Sequence, residues 1–266
     1  MDFDRLAHDE EDTFIDSRTS LLDIVEDKIR AQNKKNLVHR TVILSKLQQD
    51  VQEKDEISGY YDRLFKNALN SLQGEPVSGL LLIYPEYCLH IVELRCDRGV
   101  RGVSRRRPSS SSDMLVLLFK DLLENERKKT GFMEKSRILV ISHDIPTRSY
   151  SGWNSRVLDI QSQNIALYEP SDSTDKLIVD VLNQLLKLGN FLSKTPKLNF
   201  KNTLDTLREK VPEFIPQQLV VGYLAETDDQ CMTNLDDITK IYSNPFDFTM
   251  QGELVWPLPV RLFPYN

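Results

Sequence analysis

Residues 79–84 read GLLLIY without one charged side chain, and YCLHIVELR returns at 87–95 after only Pro85 and Glu86. Short apolar runs rich in β-branched and aromatic residues read as strands, and two of them joined by a tight turn read as an antiparallel pair. The first run does not alternate between apolar and polar positions. A strand with that pattern is covered on both faces of its sheet. A sheet open to water on one side is therefore excluded, and two separate sets of covering elements are required.

The flanking sequence supplies both sets. HRTVILSKL at 39–47 reads as an earlier strand. DEISGYYDRLFKNALNSLQ at 55–73 reads as a helix with Ile57, Tyr61, Leu64, Phe65, Ala68 and Leu72 on one face, stopped by Gly74. Beyond the strand pair, MLVLLFKDLLENERKK at 114–129 reads as a helix, and SRILVISHDI at 136–145 and SRVLDI at 155–160 as strands. The order βαββαβ predicts an α+β fold, a ferredoxin-like sheet with two packed helices. Those helices cover one face only. For the other, STDKLIVDVLNQLLKLGNFLSK at 173–194 offers Ile178, Val181, Leu182, Leu185, Leu188 and Leu192 at helical spacing. PQQLVVGYLAET at 216–227 and LDDITKIYSN at 235–244 read as shorter helices. The proline-punctuated end, GELVWPLPVRLFPYN, is apolar but cannot hold a regular helix, and is expected along the surface of the fold or of a partner.

The predicted organisation is an acidic, disordered tail over 1–16, a helix over 17–36 carrying Leu21, Leu22, Val25 and Ile29, a sheet domain over 37–165, and a helical extension over 166–266 packed on the sheet. Seven of the first 16 residues are acidic and few are apolar, which is why order is not expected there. Within the sheet domain, 97–112 breaks composition. It contains five arginines between Arg98 and Arg107, then Pro108 and four serines, and reads as a disordered insert. A nucleic-acid or lipid patch is a second reading of that run, and an isoform or gene-model extension a third.

The net charge of −6 argues against general nucleic-acid affinity, because phosphates need a basic surface to neutralise them. No apolar run reaches the ~20 residues of a membrane span. The acidic start lacks the charged-then-apolar pattern of a signal peptide, so a cytosolic or nuclear setting is expected, with the cytoplasm the first choice. Cys88, Cys96 and Cys231 are odd in number and scattered, and read as free thiols. His8, His39, His90 and His143 lie far apart in the chain, and no spacing resembles a metal site.

Candidate chemistry is sparse. His90 and Glu93, three apart on one strand, point to opposite faces and cannot form an acid–base pair. His90 reads as a packed strand residue, with a catalytic or ligand role as the alternative. His143 and Asp144, before Pro146, read as turn formers rather than a His–Asp couple. Ser142 lacks a GxSxG elbow. SLQGEPVSG lacks the Lys-Ser/Thr of a phosphate loop. Arg148 and Trp153 in RSYSGW read first as a packed set, Trp153 on the sheet edge and Arg148 paired with a local carboxylate; a partner patch is the functional alternative, since Arg and Trp are enriched in interface hot spots. Ser109, with Arg106 and Arg107 at −3 and −2, fits a basic-directed kinase and is the candidate phosphorylation site.

Across 38–160 these signposts resemble the blue-light-using-flavin (BLUF) domain: HRTVILSKL, VSGLLLIY preceded by a helix, CLHIVEL, and IPTRSYSGW. Over the longer chain, GEPVSGLLLIYP, ISHDIPTR, LSKT and LVWPLP resemble the testis-expressed protein 47 family. The BLUF likeness implies a flavin site, but the positions it assigns depart from it. The photoactive tyrosine falls on Ile43, the flavin-binding asparagine on Leu72, the switching glutamine on His90, and a methionine on Ser155. Losing about three polar contacts at ~1 kcal/mol each would weaken flavin binding by ~100-fold. No cofactor is therefore expected. The second likeness implies germ-cell expression and a sperm-flagellar or ciliary setting. Together they imply a non-enzymatic interaction protein with protein partners; the alternative is a small-molecule or flavin sensor using the altered cleft.

Overall fold

The computed structural model describes residues 37–49, 53–72, 76–96, 110–128, 131–163, 168–228 and 232–243, together with Ile24, Asp27 and Ala31. Those three isolated residues are helical; the rest of the expected 17–36 helix, the 1–16 tail, Ser109 and the 252–266 end lie outside the described residues.

Strand β1 (Leu37–Leu47) leads to helix α1 (Lys54–Leu72), then to the hairpin β2 (Ser78–Ile83) and β3 (Tyr87–Cys96). Helix α2 (Ser110–Arg127), β4 (Met133–Ile145) and β5 (Trp153–Val157) follow. The sheet runs β5-β2-β3-β1-β4 and ends in a two-residue β6 (Thr233–Asn234). All neighbours are antiparallel except β2 with β5. The order β4-β1-β3-β2 is the ferredoxin-like arrangement. Helix α2 begins at Ser110, so the last three residues of the insert expected to be disordered are helical.

Side-chain alternation divides the core in two. On one face Ile43, Leu81, Ile83, Cys88 and Val92 pack against Ile57, Tyr61 and Phe65 of α1 and Leu115, Leu118, Phe119 and Leu122 of α2. On the other, Val42, Leu44, Leu80, Leu82, Leu89 and Ile91 meet the C-terminal third. Every residue of β2 is buried, which is the physical content of its unbroken apolar run. Gly79 makes the β2–β3 approach possible. Its φ is 150°, and a Cβ there would lie 2.1 Å from the Ile91 carbonyl oxygen. The hairpin closes with Tyr84 N–H donating to Tyr87 O at 2.7 Å.

Helix α3 (Thr174–Lys194) lies on the second face through Leu177, Ile178, Val181, Leu185, Leu188 and Leu192. Short helices α4 (Phe200–Asp205), α5 (Leu207–Lys210) and α6 (Gln218–Glu226) complete that layer. Helix α7 (Leu235–Ser243) departs from the expected layout. Leu235 and Ile238 join the α1–α2 core instead, and Asp236 pairs with Arg127 at 3.2 Å. The extension thus wraps both faces, because β6 carries the chain around the β4 edge.

Candidate functional site

The register places Ile43 of β1 beside His90 of β3, His90 beside Leu81 of β2, and Leu81 beside Ser155 of β5. Three of the four positions that the BLUF likeness assigns to flavin therefore form one cross-strand row facing α1. Leu72 is the last residue of α1, and its side chain lies outside the described residues.

Aromatic side chains pack over this row. His90 is 2% exposed, with the rings of Tyr61 at 5.0 Å, Phe65 at 5.9 Å and Trp153 at 6.1 Å between centroids. Phe65 and Trp153 meet edge to face at 5.5 Å. Trp153 Nε1–H donates to His90 Nε2 at 2.9 Å, which fixes the ring proton on Nδ1 in the neutral tautomer. Burial pulls the His90 pKa down to about 3. A group held neutral in this way is no proton donor near neutral pH. The same desolvation pushes the Cys88 thiol up to about 12, so it carries no thiolate chemistry.

Glu93 faces the opposite side of the sheet, where its carboxylate is fully buried. Arg40 donates to Oε1 through Nε at 3.0 Å and Nη2 at 2.7 Å, and Ser78 Oγ donates to Oε2 at 3.1 Å. The backbone N–H groups of Ser149 and Tyr150 also donate to the carboxylate, at 3.0 and 3.2 Å. This is a clamp holding the β4–β5 loop on the sheet, and Tyr150 extends it by donating its hydroxyl to Leu185 O of α3 at 2.6 Å. Arg148 donates to Pro76 O, Ser78 Oγ and Glu93 O at 3.1, 2.8 and 3.1 Å. Arg148 and Trp153 are each half-buried and tied inward, one to the clamp and one to the cleft.

Elsewhere, Tyr60 of α1 donates to Asp121 of α2, with Asn125 beside them. Burial raises both pKa values, that of Tyr60 to about 12, and the trio joins the two helices. A cleft of about 390 Å³ at the end of β5 holds Arg156 and Asp205 paired to each other, and Arg208 donating to Asp159 O. Ser142 lies opposite Arg40 in β4. Among the described residues, no three His, Cys, Asp or Glu side chains group as a metal site.

His39 and His143, 104 residues apart, are brought together, and His143 also meets Tyr242. His143 and Asp144 lie inside β4 at an irregularity, not in a turn before Pro146. Sequence reasoning missed this cluster and the Arg40–Glu93 pair. The second had a signal, since both charges interrupt apolar strands; the first depends on a bulge with no local signature.

A ferredoxin-like sheet with an aromatic-packed first face, and its second face covered by a helical extension, defines an α+β domain of ferredoxin-like topology. The family described as Testis-expressed protein 47 matches residues 37–100 and 109–244, and the chain belongs to that family. Residues 101–108, within the Arg/Ser run, fall between the matched ranges. Similar solved structures include a bacterial light-regulated adenylyl cyclase at 17% identity and TM-score 0.30, covering 63% of this chain and 39% of that one. Others are the BlrP1 BLUF structure (13%, TM-score 0.30, 73% and 93%) and a Klebsiella pneumoniae BlrP1 manganese/cyclic-di-GMP complex (14%, TM-score 0.28, 60% and 35%). The chain thus spans well under half the length of the cyclase and of the BlrP1 complex. Among the described residues no helix is long and apolar enough to cross a membrane.

Proposed function

We propose that this chain is a non-enzymatic interaction or scaffold protein of germ cells, which keeps the BLUF frame and uses the flavin side of its sheet as core. One observation carries the reading. The row Ile43–His90–Leu81–Ser155 is packed under Tyr61 and Phe65, and His90 is bonded to Trp153. An isoalloxazine ring needs an open slot and polar partners. Ile43 supplies no electron or proton, and the His90 acceptor is committed to an indole. Family membership supports the germ-cell setting, with a sperm flagellum or cilium as the proposed location and proteins as the partners.

The absorbance spectrum of freshly purified protein tests the cleft. The expected spectrum has no flavin band and no light-induced red shift. A yellow protein with such a shift overturns the reading in favour of a light or small-molecule sensor. Imaging of the endogenous protein in sperm tests the location, and a signal confined to somatic cells overturns that part.

A further inference from the structure

The β1–β4 ladder pairs Val38 with Ile145 and Arg40 with Ser142. One residue of β1, His39, thus lies opposite two of β4, His143 and Asp144. This is a bulge, and bulges re-aim side chains. Asp144 takes φ 53°, the one positive-φ non-glycine among the described residues. Asp tolerates that region better than most residues but still at a cost. The local strain coincides with an unusual juxtaposition. His39 Nδ1 and His143 Nδ1 are 2.9 Å apart, with ring planes at 75°, and His143 Nε2 lies 2.7 Å from the Tyr242 hydroxyl.

We propose that His39 and His143 form a two-imidazole site for a late first-row divalent cation such as Zn²⁺, with Tyr242 as its positioning residue. Two nitrogens 2.9 Å apart, each on a Zn–N bond of about 2.05 Å, subtend about 90° at the ion. Opening them to about 3.3 Å gives the tetrahedral angle, and each ring turns by about 35° to swing its Nδ1 lone pair off the N···N line toward the ion. Imidazole donors suit zinc, copper and nickel rather than magnesium or calcium, which take oxygen ligands.

The bonding to Tyr242 prepares the pair. When His143 Nε2–H donates to the Tyr242 oxygen, the ring proton is held off Nδ1, as outer-shell partners do for metal-bound imidazoles, and Nδ1 keeps the lone pair that an ion would take. The proton that His39 Nδ1 then shares with His143 moves to His39 Nε2 as the ion enters, so both rings bind neutral and no net proton is lost. The protein provides two ligands, and water completes the ion's shell. Tyr242 belongs to α7 and packs on Phe119 of α2 at 5.9 Å. Ion binding and seating of α7 therefore favour each other, as linkage requires.

The test is isothermal titration of the full chain with Zn²⁺, alongside His39→Ala, His143→Ala and Tyr242→Phe, with Mg²⁺ as control. The proposal expects one Zn²⁺ per chain, an affinity loss of more than about tenfold in either histidine variant, and about tenfold in Tyr242→Phe. Long-range ¹H–¹⁵N spectra of the imidazoles are the second readout, with Zn²⁺ shifting Nδ1 of both rings in wild type. Histidine variants that bind within twofold of wild type overturn the site. So do unshifted Nδ1 signals at saturating Zn²⁺, or Mg²⁺ binding as tightly as Zn²⁺.

Discussion

At the scale of the residue, His90 ties stability to pH. Burial holds its pKa at about 3 in the folded chain, against an ordinary value of 6.5. The unfolded state binds the proton first as pH falls. Stability from the neutral ring is fully present above the unfolded value, and is lost at about 1.4 kcal/mol per pH unit as pH falls below it toward the folded one. Between pH 7 and pH 5 the loss from this group alone is about 2 kcal/mol. Urea unfolding at the two pH values measures it, and His90→Gln should be less acid-sensitive than wild type by that amount. Equal sensitivity in the two proteins would mean that His90 is not held neutral by its surroundings.

At the scale of the element, Glu93 decides whether the β4–β5 loop stays on the sheet. Its carboxylate collects Arg40, Ser78 and two loop amides in a fully buried position. Removing one partner of a buried ion pair leaves the other uncompensated, at about 3–5 kcal/mol. Glu93→Ala is therefore expected to lower stability by that much and to speed amide exchange at Ser149 and Tyr150. Replacing Arg40 as well, by Met, should recover part of the stability but not the amide protection, since the loop N–H groups still lack an acceptor. Full protection at Ser149 and Tyr150 in Glu93→Ala would show that the clamp is not what holds the loop.

At the scale of the whole molecule, the C-terminal extension is part of the core. Leu80, Leu82, Leu89 and Ile91 are each buried beneath α3 and the helices after it. Exposing a large apolar side chain costs about 1.5–3 kcal/mol, and a contiguous patch of them favours association. A chain ending at Asp159 is expected to aggregate, as light scattering and size exclusion would detect. A soluble, monomeric, cooperatively melting product would show that the sheet stands without its cover.

The sequence by itself determined the strand and helix order, because periods of 2 and 3.6 are local properties of the chain. It also determined that β2 needs two covers, since GLLLIY leaves no polar face, and that α3 offers a suitable apolar stripe. The opposite directions of His90 and Glu93 likewise follow from the pleat. Only the tertiary structure decided that α7 turns back onto α2, because a nine-residue amphipathic helix fits either face and the route around the β4 edge selects one. The same holds for the bond between Trp153 and His90, which requires β5 to lie parallel to β2. The meeting of His39 with His143 is the extreme case. It depends on a bulge that places two residues of β4 opposite one of β1, and pairing across 104 residues leaves no trace in either strand alone.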